Sequence, residues 1–306
     1  MPQKHWSVII NPRSGNFNIQ KDFDEINKLF ISKGIHADFT LTKHKKHAES
    51  IAAELLSKGL TKIAVVGGDG TLNEVVNGIF TSGVPVPSDM TLAMIPVGTG
   101  NDWCRTFGIP SDFSKAIELI ALGKTIRQDI GKIYFENGKT NYFINVAGVG
   151  FDAEVVKKVN NDQIKNRRGK LVYLKNLVLC LIKSKSQHMK NEFDNKILDA
   201  EVFSIAIGIG KHNGGGMMPL PNAIVDDGLF DITVIKKISK LDVIIQTKNL
   251  FDGTFISHKS VECHRAKNIK LKSVEQVLVE ADGELLGKCP CILEIIPKAL
   301  NVVTGN

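Results

Sequence analysis

Three glycine-bearing turns and one acidic turn carry the residues of this 306-residue chain whose types and spacing could do chemistry. The first three are Asn11-Pro12-Arg13-Ser14-Gly15, Gly67-Gly68-Asp69-Gly70-Thr71 and Gly98-Thr99-Gly100-Asn101. Each closes a short apolar run, and a turn of this kind at a helix start offers backbone N–H groups to phosphate oxygens. None of the three carries the Gly-Lys-Ser/Thr end of a Walker A loop, and none is a Gly-x-Gly-x-x-Gly dinucleotide turn in its usual place. Asp69 is the odd residue among them. A carboxylate beside a triphosphate is repelled unless a cation lies between, or unless it acts on a proton. Mg2+-ATP with Asp69 near the metal or the reacting oxygen is one reading, and a helix N-cap is the other; both can hold. The acidic turn is Asp282-Gly283-Glu284, set between Val277-Leu278-Val279 and Leu285-Leu286. It could place carboxylates at a hairpin tip within reach of a hydroxyl proton, although an ordinary Asp-Gly turn is the simpler reading of those residues alone.

The elements that must position these turns fall into two groups. Strand patterns at 6–10, 35–42, 63–66 and 91–95 alternate with helix patterns at 17–32, 44–58 and 71–80. That alternation predicts an α/β domain over residues 1–128, with a parallel sheet under helices. Beyond it, short β-rich segments at 126–133, 142–146, 202–209, 229–235, 269–271, 276–280 and 292–296 predict an antiparallel domain over 129–296. A helical insert is expected from about 168 to 190. The strand-like end after Pro297, residues 297–306, is expected to return to the first domain.

Composition narrows the partners. Hydrophobic residues at 43% and charged residues at 23% are soluble-domain values. A net charge of +7 favours an anionic partner such as ATP or an acidic membrane. Nucleic acid is not expected, because aromatics are 7% and scattered rather than arranged as a stacking surface. The longest charge-free apolar run is far short of the roughly 20 residues that span a bilayer. The N-terminal residues lack a signal-peptide core. Five cysteines without paired spacing predict a reducing cytoplasm and no zinc site. Residues 163–191 hold no acid but include Lys165, Arg167, Arg168, Lys170, Lys175, Lys183, Lys185 and Lys190. With Leu171, Leu174, Val178 and Leu181 on one face, this stretch suits an anionic membrane surface; a solvated basic face reads equally well.

Gly67-Gly68-Asp69-Gly70-Thr71-Leu72-Asn73-Glu74, taken with Pro96-Val97-Gly98-Thr99-Gly100-Asn101-Asp102, resembles the diacylglycerol kinase catalytic-domain family. That family includes soluble bacterial lipid kinases and the sphingosine and ceramide kinases, and is distantly related to NAD kinases. The likeness continues through Asn145 to Asp152, Gly214-Gly215-Gly216-Met217, Asp226-Asp227-Gly228-Leu229, Asp282-Gly283-Glu284 and Pro297-Lys298-Ala299-Leu300. Asn16 departs from it, where many members carry a basic residue. The resemblance implies an NAD-kinase-like ATP domain, a β-sandwich lipid domain, and a cleft between them where a lipid hydroxyl is phosphorylated. It assigns ATP contacts to Asn11, Thr42, Gly67, Gly68, Asp69, Gly70, Thr71, Leu72, Asn73 and Thr99. Catalysis falls to Glu284, Asp282 and Asp69, and a structural magnesium to Asp227 with the main-chain oxygens of Ile224 and Leu229.

The expectation is thus an ATP- and Mg2+-dependent kinase of diacylglycerol or a related lipid alcohol such as a sphingoid base. It would be cytoplasmic and peripheral on the inner membrane face, with sandwich edges that could pair into a homodimer. An NAD kinase is the rival enzyme, and a lipid- or nucleotide-binding regulator without catalysis is the rival of another class.

Overall fold

The computed structural model describes residues 5–15, 17–164 and 179–306. Strands β1 (His5–Ile10), β2 (His36–Leu41), β3 (Lys62–Gly67) and β4 (Thr91–Pro96) form a parallel sheet in the order β4-β3-β1-β2. In β3 and β4 nearly every residue is buried, because helices cover both faces; the edge strand β2 alternates instead. Helices α1 (Ile19–Ser32), α2 (His47–Ser57), α3 (Asp69–Thr81), α4 (Asp102–Thr106) and α5 (Phe113–Leu122) supply those layers. Local capping starts two of them: Asn18 accepts the Lys21 N–H at 3.0 Å and Asp112 accepts that of Lys115 at 2.9 Å.

The start of α2 differs from the expected residue 44. Lys46 is left-handed (φ 65°), and its N–H and that of Ala48 donate to Glu74 of α3, at 2.8 and 3.3 Å. The cap therefore comes from another helix, which no local pattern reveals. Gly78 lets α3 lie that close to α2: a Cβ there would stand 2.1 Å from the Glu49 carbonyl oxygen.

The second half contains β5 (Thr125–Phe135), β6 (Thr140–Phe143), β7 (Val146–Gly150), α6 (Phe151–Ile164), β8 (Gln187–Phe193), β9 (Lys196–Gly208), β10 (Phe230–Lys236), β11 (Val261–Ala266), β12 (Asn268–Ser273), β13 (Leu278–Ala281), β14 (Glu284–Lys288) and β15 (Cys291–Val303). Its pairings are antiparallel and build the sandwich. Two expectations are corrected here. The insert does not stay helical to residue 190, because β8 begins at Gln187 and pairs with β9. Residues 151–164, which carry no expected element, form α6. Most of the basic segment, including Arg167, Arg168 and Lys170, lies outside the described residues, as does Asn16.

Two long strands join the halves. β5 and β15 pair from Phe135↔Cys291 to Thr125↔Val303, with one register shift between Ile296 and Leu300. Past that shift, Asn301 and Val302 pair in parallel with Thr91 and Leu92 of β4. Beside the shift, the buried carboxylate of Asp129 accepts N–H groups from Lys298 at 2.6 Å and Gly228 at 2.7 Å. Buried Gln128 ties the layers, accepting from the Trp103 indole at 3.0 Å and donating to the Ile144 carbonyl at 2.6 Å. One apolar core fills the α/β half and a second fills the sandwich, with Val225 packed against both.

Candidate active site

The three glycine turns meet at the carboxyl edge of the parallel sheet. A Cβ on Gly15 (φ 55°) would fall 1.8 Å from the Val97 carbonyl oxygen, and one on Gly98 would fall 2.8 Å from Gly68 Cα. Backbone therefore lies on backbone, which only glycine permits. Asn11 joins the platform by donating from its side-chain amide to the Thr71 hydroxyl at 2.9 Å. Thr42 is buried at the end of β2, its N–H on the Ile10 carbonyl at 2.8 Å. Thr99 is exposed on the third turn. Within the second turn, the Gly68 carbonyl accepts the N–H groups of Thr71 and Leu72 at 3.0 and 3.1 Å. The N–H groups of Asp69 and Gly70, in the first turn of α3, have no intrahelical acceptor. Leu72 is fully buried, so its side chain belongs to the core.

Asp69 does not cap its own helix. Its carboxylate accepts the N–H groups of Asp102 at 3.1 Å and Trp103 at 3.2 Å, so it caps α4 and fastens the second turn to the third. Burial raises its pKa, and the Asp102 charge adds to this. Asp102 in turn reaches the other domain: one carboxylate oxygen accepts the Gly215 N–H at 2.8 Å. Its other oxygen, Oδ1, is buried without a hydrogen-bond partner, 3.6 Å from the Arg105 guanidinium. Burial also raises the Asp102 pKa.

The hairpin between β13 and β14 faces this platform. Asp282, left-handed at φ 48°, accepts four hydrogen bonds: from the Asn73 amide and Ile144 N–H at 2.9 Å each, and from the Asn145 and Val146 N–H groups at 3.1 Å each. Burial pushes its pKa up to about 6, while those donors favour the ionised form. Asn73 is thus turned toward Asp282 and the Tyr142 carbonyl, at 3.2 Å from the latter.

Glu284 stands differently. It is partly exposed and forms one ion pair, to Lys45 in the β2–α2 turn at 2.8 Å. Beneath the tip, Glu280 is 3% exposed and accepts the Gly283 N–H at 3.0 Å. Burial and then Asp152 push the Glu280 pKa well above the usual carboxylate range, and burial raises Asp152 itself to about 6.

The residues expected to hold a metal lie elsewhere, in the turn before β10. There Asp227 accepts the Leu229 N–H at 3.1 Å and is bonded to Arg265, while the Ile224 side chain is about half exposed. Among the described residues no group of three or more His, Cys, Asp or Glu side chains is arranged to hold a metal ion.

The structure therefore brings Asn11, Asp69, Thr71 and Thr99 to one platform and sets Asp282 and Glu284 on the hairpin across from it. Asp227 belongs to a different turn. Lys45, Asp102, Asp129 and Glu280 complete these sites and were missed as functional residues. Asp102 alone had a local signal, standing directly after the third glycine turn.

Comparison with known proteins identifies the two halves. Residues 5–133 match the diacylglycerol kinase catalytic domain, and residues 145–304 match the YegS C-terminal NAD kinase beta sandwich-like domain. The diacylglycerol kinase of Bacillus subtilis (strain 168) is 30% identical over 288 residues, covering 94% of this chain and 92% of that one. That of Staphylococcus carnosus (strain TM300) is 28% identical over 302 residues, covering 99% and 95%. A crystal structure from Bacillus anthracis str. Sterne superposes with a TM-score of 0.82 at 26% identity, and one of a diacylglycerol kinase from the same strain with 0.76 at 23%. Both cover 100% of this chain and 98% of theirs. Matched over both halves by these domain models and over nearly its full length by a relative at 30% identity, the chain belongs to the diacylglycerol kinase family.

Proposed function

We propose that this chain transfers the γ-phosphate of Mg2+-ATP to the hydroxyl of a lipid alcohol, diacylglycerol or a relative such as a sphingoid base. The observation that carries this reading is the Glu284–Lys45 pair, 2.8 Å across the cleft between the acidic hairpin and the nucleotide-side turn. A carboxylate with one exposed partner can take a proton; one with all its acceptor positions filled cannot do so without losing a donor. Glu284 is therefore the base, and Asp282 is a positioning residue that fixes the hairpin beside Asn73.

Asp69 and Gly70 present N–H groups to the phosphates, with Thr99 and Asn11 beside them. Lys45 passes from Glu284 to the γ-phosphate when ATP enters, freeing the carboxylate as the phosphate arrives. Asp69 and Asp102 would lie beside the magnesium carried by ATP, which would supply neutralisation of phosphate charge there. Asp102 Oδ1 has no hydrogen-bond partner but lies 3.6 Å from the Arg105 guanidinium, so a cation there would share it with a like charge.

Exposed Ile182, Leu241, Ile244 and Ile245 lie with Lys183, Lys185 and Lys240 on the sandwich side, and the Lys240 ammonium bonds the Ile182 carbonyl. An apolar surface edged by lysines supports peripheral contact with an anionic bilayer. Among the described residues no helix is long and apolar enough to cross a membrane.

The test is transfer of label from γ-labelled ATP to total lipid extract in anionic vesicles, with NAD as a second acceptor. Label is expected in a lipid phosphate, at a rate that falls with added salt. Label in NADP instead would replace the lipid by a ribose hydroxyl.

A further inference from the structure

The turn before β10 concentrates negative charge. Asp226, Asp227 and Asp231 lie within six positions of one another, and Asp129 reaches in from β5 to hold Gly228. Three features decide what balances them. The β10–β11 register sets Arg265 directly opposite Asp231, so the guanidinium arises from the strand pairing itself. Its Nε lies 3.4 Å from Asp231 Oδ2, a buried oxygen with no hydrogen-bond partner, while its Nη2 bonds Asp227 Oδ2. The remaining Asp227 oxygen is taken by the Leu229 N–H, and the Ile224 N–H is spent on Asp231.

These contacts do not fit the magnesium that the family resemblance places on Asp227. Mg2+ demands near-octahedral oxygen ligands at about 2.0–2.1 Å. Here the carboxylate faces one N–H and one guanidinium, and a divalent ion would have to evict the guanidinium or share the carboxylate with a like charge. A planar fork suits two neighbouring carboxylates better than a small sphere does.

We infer that Arg265 is the resident cation of this turn, standing where a structural magnesium would stand, so that the loop from Ile224 to Leu229 is ordered without a metal. The chain's need for magnesium then reduces to the ion carried by ATP. This concerns a site apart from the hydroxyl acceptor, and it stands whichever alcohol is phosphorylated.

Thermal melts of the full chain without nucleotide test it, in magnesium chloride and in EDTA. The wild-type Tm is expected to be the same in both. Arg265→Met should lower Tm by several degrees, Arg265→Lys should lower it less, and adding Asp227→Asn to Arg265→Met should recover part of the loss. That recovery follows from charge balance and would not follow from lost packing. A wild-type Tm that rises with magnesium, with the rise abolished in Asp227→Asn, would overturn the inference; so would an Arg265→Met protein that melts like the wild type. Should Arg265→Met fail to fold, Mn2+ binding to the wild type and to Asp227→Asn decides. Equal stoichiometry supports the inference, and one site fewer in Asp227→Asn overturns it.

Discussion

Two acidic turns of this molecule solve the same electrostatic problem by different means. At the β13–β14 tip, Asp282 is held by one side-chain amide and three main-chain N–H groups from the strand connection at residues 144–146. At the turn before β10, Asp227 and Asp231 take one main-chain N–H each, from Leu229 and Ile224, and share the side chain of Arg265. Main-chain support is set by the fold, so it fixes a carboxylate rigidly and survives substitution of neighbours. Side-chain support is a single replaceable group. The rigid means is used at the tip that carries Glu284, the base proposed above. The other turn only has to stay folded.

The sharpest way to break this contrast is to remove the rigidly held carboxylate. Asp282→Asn would set an NH2 group against N–H donors and orphan at least one of them. We expect a loss of about 2–4 kcal/mol in denaturant unfolding, with turnover falling alongside. An Asp282→Asn protein as stable as the wild type would show that the main-chain donors do not depend on the charge.

Glu284→Gln should separate aim from support. Its ion pair is solvent-exposed, so stability should change by less than about 0.5 kcal/mol, whereas loss of a general base should cost roughly a hundredfold in turnover. Steady-state kinetics at saturating ATP give the answer. Unimpaired turnover would move the base elsewhere on the hairpin.

The mildest test concerns Asp152, under the same tip. Its folded pKa of about 6 lies above the ordinary 3.8, so the folded state binds this proton more tightly than the unfolded chain does. The resulting stability is fully present below roughly pH 4 and is lost as pH rises to about 6, a change of up to about 3 kcal/mol. Asp152→Asn stays neutral throughout. It should therefore melt above the wild type at pH 8 and flatten part of that fall, which Tm measured against pH would follow. Parallel curves for the two proteins would mean the Asp152 charge is met in the fold.

The glycine turns were legible because their chemistry is local, whereas the Asp-Gly-Glu turn reads alone as an ordinary turn and was singled out by the family resemblance. One glycine turn is most often only a turn, but three at one sheet edge favour a phosphate site, and the buried runs of β3 and β4 fit central parallel strands. What stayed hidden depends on partners distant in the chain. Asp69 caps α4, 33 residues away, rather than its own helix. Asp282 takes its main-chain donors from 136 to 138 residues earlier and its side-chain donor, Asn73, from 209 earlier, and Asp129 grips Lys298 at a separation of 169. Arg265 meets Asp227 only through a strand register that no sequence period encodes. Helix α6 was missed because its apolar residues are interleaved with Lys157, Lys158, Asn160, Asn161 and Asp162, which read as a polar loop.

The pairing of β5 with β15 bears on how the cleft can breathe. Because one two-stranded ribbon, with a single register shift between Ile296 and Leu300, runs from the sandwich into the parallel sheet, the halves share a stiff spine rather than a swivel. Spreading them like jaws would shear ladder hydrogen bonds along both strands, while torsion of the ribbon keeps every rung intact. Gln128, clamped between Trp103 and Ile144, further resists bending at the point where the spine changes layer. For the transfer proposed above, opening would then fall to small surface parts, with the Lys45–Glu284 ion pair as the contact to break.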